Sequence, residues 1–174
     1  MVKKTILNRV LACGLILGLF AMPSESGSKQ TAFVSQVFLD AENRIHVKYS
    51  DGREDVPPKE RGQISCSVPA VAKDKRTVGW LVDYDNLGAT SYPIPLKLII
   101  YRDGKRIRKL GNGMLIGTWR FSDNGKQVAF YTNTVHGDLA PYYELHDIET
   151  DKIVDKWEGQ LTDKTPAWAK RLSE

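Results

Sequence analysis

The sequence predicts an all-β fold: an antiparallel meander of short strands finished by one short C-terminal helix. Three observations carry that expectation. Thr118 to Tyr131, TWRFSDNGKQVAFY, reads as strand, tight turn, strand. Asn124-Gly125 between apolar segments is a strong hairpin signal, because primed turns need positive φ and these two residues accept it. Arg44 to Tyr49 alternates, with Ile45, Val47 and Tyr49 on one side and Arg44, His46 and Lys48 on the other, the period of a half-buried strand. Few connections reach the dozen or so residues that a parallel crossover needs.

The elements follow in order. Val37–Asp40 and Arg44–Tyr49 are the first strands, with Ala41-Glu42-Asn43 turning between them and Ser50-Asp51-Gly52 after them. Val56 to Gly62, VPPKERG, is a loop, since consecutive prolines fix φ and remove ladder donors. Strands over Ile64–Ala72 and Thr77–Asp83 come next. The polar loop Asp83 to Pro95 leads to Leu96–Tyr101, LKLIIY, the most apolar strand and the expected sheet centre. Arg102–Lys105 turns into Arg106–Leu110, and Gly111-Asn112-Gly113 turns into Met114–Phe121. Gln127–Tyr131 returns. The loop Thr132 to Pro141 precedes a last hairpin, Tyr142–Asp147 and Lys152–Trp157. The expected helix is Pro166–Leu172, with Thr165 as its cap and Pro166 in its first turn, docked through Ala167, Trp168 and Leu172. Trp80, Trp119 and Trp157 are expected in inter-sheet packing.

A length of 174 residues allows one domain and little more. Residues 1–22 are expected to be a secretory signal: Lys3, Lys4 and Arg9 precede the apolar run Val10–Met22, which is short for a bilayer span. Ala21, Ser24 or Ser26 would be the last residue removed. Val10-Leu11-Ala12-Cys13 looks like a lipoprotein signal but departs from one, since the apolar run lies mostly after the cysteine. Residues 23–32 form a flexible linker and residues 33–174 the single repeat domain. The expected location is secreted or periplasmic, with no membrane span once the signal is cleaved. Cys66 then stands alone, so no intramolecular disulfide is available, and it is expected as a small buried apolar residue.

The formal charge of +4 overstates the mature protein. Three of the 25 basic residues and no acidic ones lie in residues 1–21, leaving 22 basic against 21 acidic, a net of +1. Nucleic acid is therefore not an expected partner. The basic run Arg102 to Lys109 contains Asp103-Gly104 and is expected as a solvated hairpin.

Two segments lie on each other. Val71, Asp74, Val78 and Trp80 match Phe121, Asn124, Val128 and Phe130 at an offset of 50, and Ile100–Ile107 matches His146–Ile153 at an offset of 46. Each unit holds four strands, the size of one propeller blade. Phe121 to Phe130, FSDNGKQVAF, also resembles the repeat of the TolB-type β-propellers, which reads Phe/Trp-Ser-Pro-Asp-Gly-Lys-x-Ile-Ala-Phe. Asp123 stands where that family has proline and Asn124 where it has aspartate, while Gly125, Lys126, Ala129 and Phe130 are kept. Val71–Trp80 is similar but has Lys75 in place of the glycine, and LHDIETDK, Leu145–Lys152, is similar to the blade's outer hairpin. The resemblance covers about residues 67–158. It implies blade-like units and, by analogy, envelope protein–protein interaction; propellers host many unrelated activities. Propellers typically need at least four blades. Two units and a half from Val37 to Val56 predict either an open stack of sheets capped by the C-terminal helix or copies that associate to complete a ring.

The two long loops, 83–95 and 132–141, occupy the same place in each unit, and such insertions emerge on one face of a stack. The candidate ligand-binding residues are Asp83, Asp85 and Tyr92 from the first loop with His136, Asp138 and Tyr142 from the second; Asn86 and Asn133 lie beside them. The expected partner is an envelope protein or a glycan. Catalytic, metal and cofactor patterns are thin. Asp83-Tyr84-Asp85-Asn86-Leu87-Gly88 begins like a calcium loop, but Leu87 and Ile94 fall where oxygen ligands are needed. His136-Gly137-Asp138 and His146-Asp147 do not give the three or four ligands of zinc. His146 is expected at the surface of its hairpin. No Gly-x-Ser-x-Gly elbow or phosphate-binding glycine loop occurs. The expectation is a non-catalytic, cofactor-free binding module. The alternatives are a hydrolase with His136 or His146 as general base, oriented by Asp138 or Asp147, and a structural subunit that self-associates as a homo-oligomer.

Overall fold

The computed structural model describes residues 32–86, 90–137 and 139–174. The expected signal segment and its linker up to residue 31, residues 87–89 of the first long loop, and Asp138 lie outside the described residues. The described chain forms three antiparallel sheets and one short helix. The first sheet has the order β1 (Val34–Leu39), β2 (Ile45–Tyr49), β3 (Glu54–Asp55). The second is a meander of β4 (Gln63–Val71), β5 (Thr77–Tyr84), β6 (Ile94–Arg102) and β7 (Lys105–Leu110). The third repeats that meander with β8 (Leu115–Ser122), β9 (Gln127–Asn133), β10 (Tyr142–Asp147) and β11 (Ile153–Glu158). The predicted four-stranded units are thus two whole sheets with the same strand order. Among the described residues no helix is long and apolar enough to cross a membrane.

The sheets stack in chain order. Val34, Ile45, Val47 and Tyr49 of the first sheet pack with Cys66, Val78, Trp80, Val82, Ile99 and Tyr101 of the second. The other face of the second sheet, through Leu81, Leu98, Ile100 and Leu110, packs on Ile116, Trp119, Val128 and Phe130 of the third. The far face of the third sheet, Ala129, Tyr143 and Leu145, takes Trp168, Ala169 and Leu172 from the C-terminal segment. Residues 34–49 therefore belong to the same stack. The result is an open, all-β stack capped by the helix α1 (Ala167–Lys170).

Both free faces of the stack are closed. On the outer face of the first sheet His46 stacks on Phe38 with ring centroids 5.0 Å apart, and Lys48 lies over the same ring. His46 also bridges Asp40 (Nε2 to Oδ2, 3.0 Å) and Glu54 (Nδ1 to Oε1, 2.5 Å). A charged outer face suits the end layer of a sheet stack that meets water. At the opposite face the Trp168 indole N–H donates to Asp155 Oδ2 at 2.7 Å and fixes α1 to β11.

Close approaches set the spacing between layers. Gly79 in β5 faces the Trp119 ring, where a Cβ would stand 2.7 Å from it. The first strand of each unit carries a bulge, at Val68-Pro69 in β4 and at Gly117 in β8. Pro69 has no N–H to offer a ladder, so a bulge suits it. Val68 holds φ at +48°, a left-handed conformation that costs a β-branched residue roughly 1–2 kcal/mol.

Four sequence expectations are corrected. The Asn124-Gly125 connection is not a two-residue turn: Ser122 pairs with Gln127, and Asp123, Asn124 and Gly125 all hold positive φ in a short 3-10 turn. The two-residue Asp-Gly turn of this fold is Asp103-Gly104, where Arg102 pairs with Lys105. The helix is shorter than Pro166–Leu172 and Thr165 does not cap it; Pro166 occupies the cap position, and the Thr165 hydroxyl accepts the Thr162 N–H at 2.8 Å. His146 is not at the surface but 8 % exposed, because β10 lies in a sheet covered on both faces.

Candidate functional site

The strands of the two units run between two ends of the stack. The turn after β4 and the turn after β8 share one end. Gly125 lies so close to the first turn that a Cβ there would sit 2.8 Å from the Ala72 Cβ and 3.1 Å from the Asp74 carboxylate. Lys75, 50 residues before Gly125 and in the corresponding turn of the second sheet, also holds a left-handed backbone. The hairpins 102–105 and 147–152 close the same end. The connection Gly111–Met114 and the long loops after β5 and β9 therefore lie at the other.

The turn end is held by one network. The Thr77 N–H and hydroxyl donate to Asp74 at 2.9 and 2.6 Å. Arg102 donates through Nε to Thr77 Oγ1 at 2.7 Å and through Nη2 to the Gly125 carbonyl at 3.4 Å, and its Nη1 pairs with Glu149. Arg76 pairs with Asp103, and Arg108 donates to the Glu149 carbonyl and stands 3.7 Å from Asp151. Arginines of the second sheet thus bind the turns and outer hairpin of the third.

The loop end is different. Tyr92 is 60 % exposed and Leu139 57 %, and among the described residues they are the two most exposed large apolar side chains, one on each loop. Asp85 and His136 are also exposed, and Tyr142 is half-buried at the start of β10. Asp138 is not described. Asp83 differs from these: it is 7 % exposed, at the end of β5, and its two carboxylate oxygens accept the Ser65 and Ser67 hydroxyls at 2.9 and 2.8 Å. Burial raises its pKa, opposed by those hydroxyl donors. Asp83 therefore supports the loop from below. Sequence reading missed Leu139, which no periodicity marks.

A second hollow lies under the 56–62 loop. Pro57 and Pro58 lie over Trp80, Ile99 and Tyr101 and enclose about 390 Å³ with Lys105 and Arg106 at the edge. Glu60 pins this strap through ion pairs to Arg106 and Lys109. The hydroxyl of Tyr101, one of its lining residues, donates to Asp55 at 3.2 Å, and Asp55 also accepts the Tyr49 hydroxyl at 2.8 Å. Burial, with the Asp55 charge behind it, pushes the Tyr101 pKa up to about 12.

Two groups that could carry acid–base or nucleophilic chemistry, His146 and Cys66, are buried and each has a hydrogen-bond partner. His146 Nε2 is 2.7 Å from Glu144 Oε2, and the ring stacks on Phe130 with centroids 5.3 Å apart. Asp147 is not its orienter; that carboxylate accepts the N–H and hydroxyl of Thr150 at 2.7 and 2.8 Å. Cys66 is buried, takes a hydrogen bond from Gln63 Nε2 at 3.1 Å, and burial together with the Asp83 charge raises its thiol pKa to about 11. A thiol so raised is a poor nucleophile. Among the described residues no group of three His, Cys, Asp or Glu side chains stands together as a metal site. No family model matches the chain, and no curated protein matches it.

Proposed function

We propose that this protein is a non-catalytic binding module exported to the cell envelope, which holds an envelope protein or glycan against the loop end of its sheet stack. One observation carries the reading: Tyr92 and Leu139, the most exposed large apolar side chains among the described residues, stand one on each of the two loops that share that end. Single exposed apolar residues are ordinary, but their coincidence on paired loops beside polar groups is what a recognition surface needs. Asp85, His136 and Tyr142 supply the polar groups, and Asp83 braces the first loop from within. Export is supported by the charge and apolar pattern of residues 1–22. The TolB-like blade sequence supports the envelope setting by analogy.

Capture from a cell-envelope extract with the mature chain as bait tests this. The triple variant Tyr92→Ala, His136→Ala, Leu139→Ala is expected to lose the captured partner while its thermal unfolding stays close to that of the wild type. Retained capture by the folded triple variant overturns the assignment of the site.

A further inference from the structure

A separate cavity of about 350 Å³ opens at the edge of the turn end, beside the 123–125 turn. Lys73, Arg120 and Arg171 line it together with Ser122 and Asp123. The three cations come from three distant parts of the chain: the turn between β4 and β5, strand β8, and the residue following α1. Their convergence is a product of the stacking, since the second sheet, the third sheet and the cap each contribute one.

Among the described residues, Lys73 and Arg171 lack the carboxylate partners that three arginines of the turn end have. Arg76, Arg102 and Arg108 are each paired with a carboxylate. Among the described residues no carboxylate lies within ion-pair distance of Lys73 or Arg171. Arg120 is fixed in place by donating through Nη1 to the Arg171 carbonyl. Among the described residues its one carboxylate is Glu174, 3.6 Å away and 65 % exposed. Among the described residues the Ser122 hydroxyl also has no hydrogen-bond partner. The cavity wall thus carries three cations against the single carboxylate of Asp123, with Glu174 at the rim.

The geometry points to a binding site for a small phosphorylated ligand at Lys73, Arg120 and Arg171. An excess of two positive charges on the wall matches a phosphate dianion or a diphosphate, whereas one carboxylate would leave cations uncompensated. Guanidinium groups present forked donors that fit phosphate oxygens in pairs, and Lys73 adds a point charge. The Asp123 carboxylate is left to accept a hydroxyl of the ligand's organic part. Glu174 acts as a competing anion that an incoming phosphate displaces from Arg120.

Isothermal titration calorimetry of the mature chain with inorganic pyrophosphate tests the site, with phosphate and sulfate as further arms. Pyrophosphate is expected to bind more tightly than either single anion. The exposed pair Lys73→Glu, Arg171→Glu is expected to weaken it at least tenfold, and Glu174→Gln to tighten it several-fold. The control pair Lys152→Glu, Lys156→Glu, beside and within strand β11, is expected to leave it unchanged. Absence of pyrophosphate binding, equal affinity in the Lys73/Arg171 variant, or an equal loss in the control pair overturns the site. None of these outcomes bears on partner capture at the loop end, so the two proposals fail separately.

Discussion

At the turn end of the stack Arg102 alone reaches Thr77, the Gly125 carbonyl and Glu149, and a missing Cβ at Gly125 lets one turn rest on the other. At the loop end Tyr92 and Leu139 stand mostly in solvent. The two four-stranded sheets share one strand order, and their two ends differ in how tightly the side chains are held. Turns that must nest are short, charged and paired, and mutation there costs stability. Loops that project do not carry that cost, and under the proposed function mutation there is expected to weaken recognition instead.

The sharpest break of this contrast is at Gly125. Gly125→Ala places a Cβ against Ala72 and Asp74 on a backbone at φ +83°. Strain of the left-handed conformation and overpacking together predict a loss of about 2–4 kcal/mol, read by denaturant unfolding. A loss below about 0.5 kcal/mol would show that the turns do not nest. Asp83→Ala comes next, expected to cost about 1–3 kcal/mol by leaving the Ser65 and Ser67 hydroxyls without their acceptor. That result would separate Asp83, which braces, from its exposed loop neighbours. Arg102→Met is expected to cost about 1–2 kcal/mol through its charge-assisted bonds.

A pH scan adds a third, smaller contrast, on the outer face of the first sheet. Hydrogen bonds to Glu54 and Asp40 raise the His46 pKa above its ordinary value against the opposing effect of burial. The stabilisation from charged His46 is therefore complete below about pH 6.5 and is lost as pH rises through its raised value. The His46 bond, opposed by burial, lowers the Glu54 pKa; in Asp40, bonds from Arg44 and His46 outweigh burial and do the same. Those contributions disappear as pH falls below the carboxylate range. Thermal unfolding should show a shallow optimum between roughly pH 4.5 and 6.5, and His46→Gln should flatten its alkaline side. A variant with the same alkaline slope as the wild type would remove His46 from this role. The smallest expected effect is at the loop end, where Tyr92→Ala and Leu139→Ala should each change stability by less than about 0.5 kcal/mol.

Much of the fold was legible in the residues. Alternation in Ile45–Tyr49 and the offset of 50 between Val71–Trp80 and Phe121–Phe130 locate strands and units, because side-chain period and repeat spacing follow directly from backbone geometry. What escaped follows from burial on both faces. β10 alternates, but its Glu144 and His146 side faces the second sheet instead of water, so a polar residue there is buried and paired. The same cause places Asp83 inside, since β5 lies between two other layers. Glu54-Asp55 forms β3 with no apolar period to announce it. At the candidate site, loop position was readable but exposure was not. Leu139 became visible only once the packing showed which apolar residues it leaves out, and the convergence of Lys73, Arg120 and Arg171 depends on stacking that no local pattern encodes.

The most direct test of the division between the two ends is to capture envelope partners with three baits of known stability: wild type, Gly125→Ala, and the triple variant Tyr92→Ala, His136→Ala, Leu139→Ala. The account predicts capture by the wild type and by Gly125→Ala at a temperature where it remains folded. It predicts no capture by the triple variant, whose melting temperature stays within about 2 °C of the wild type. Capture retained by the triple variant, or a partner lost from folded Gly125→Ala alone, would contradict it.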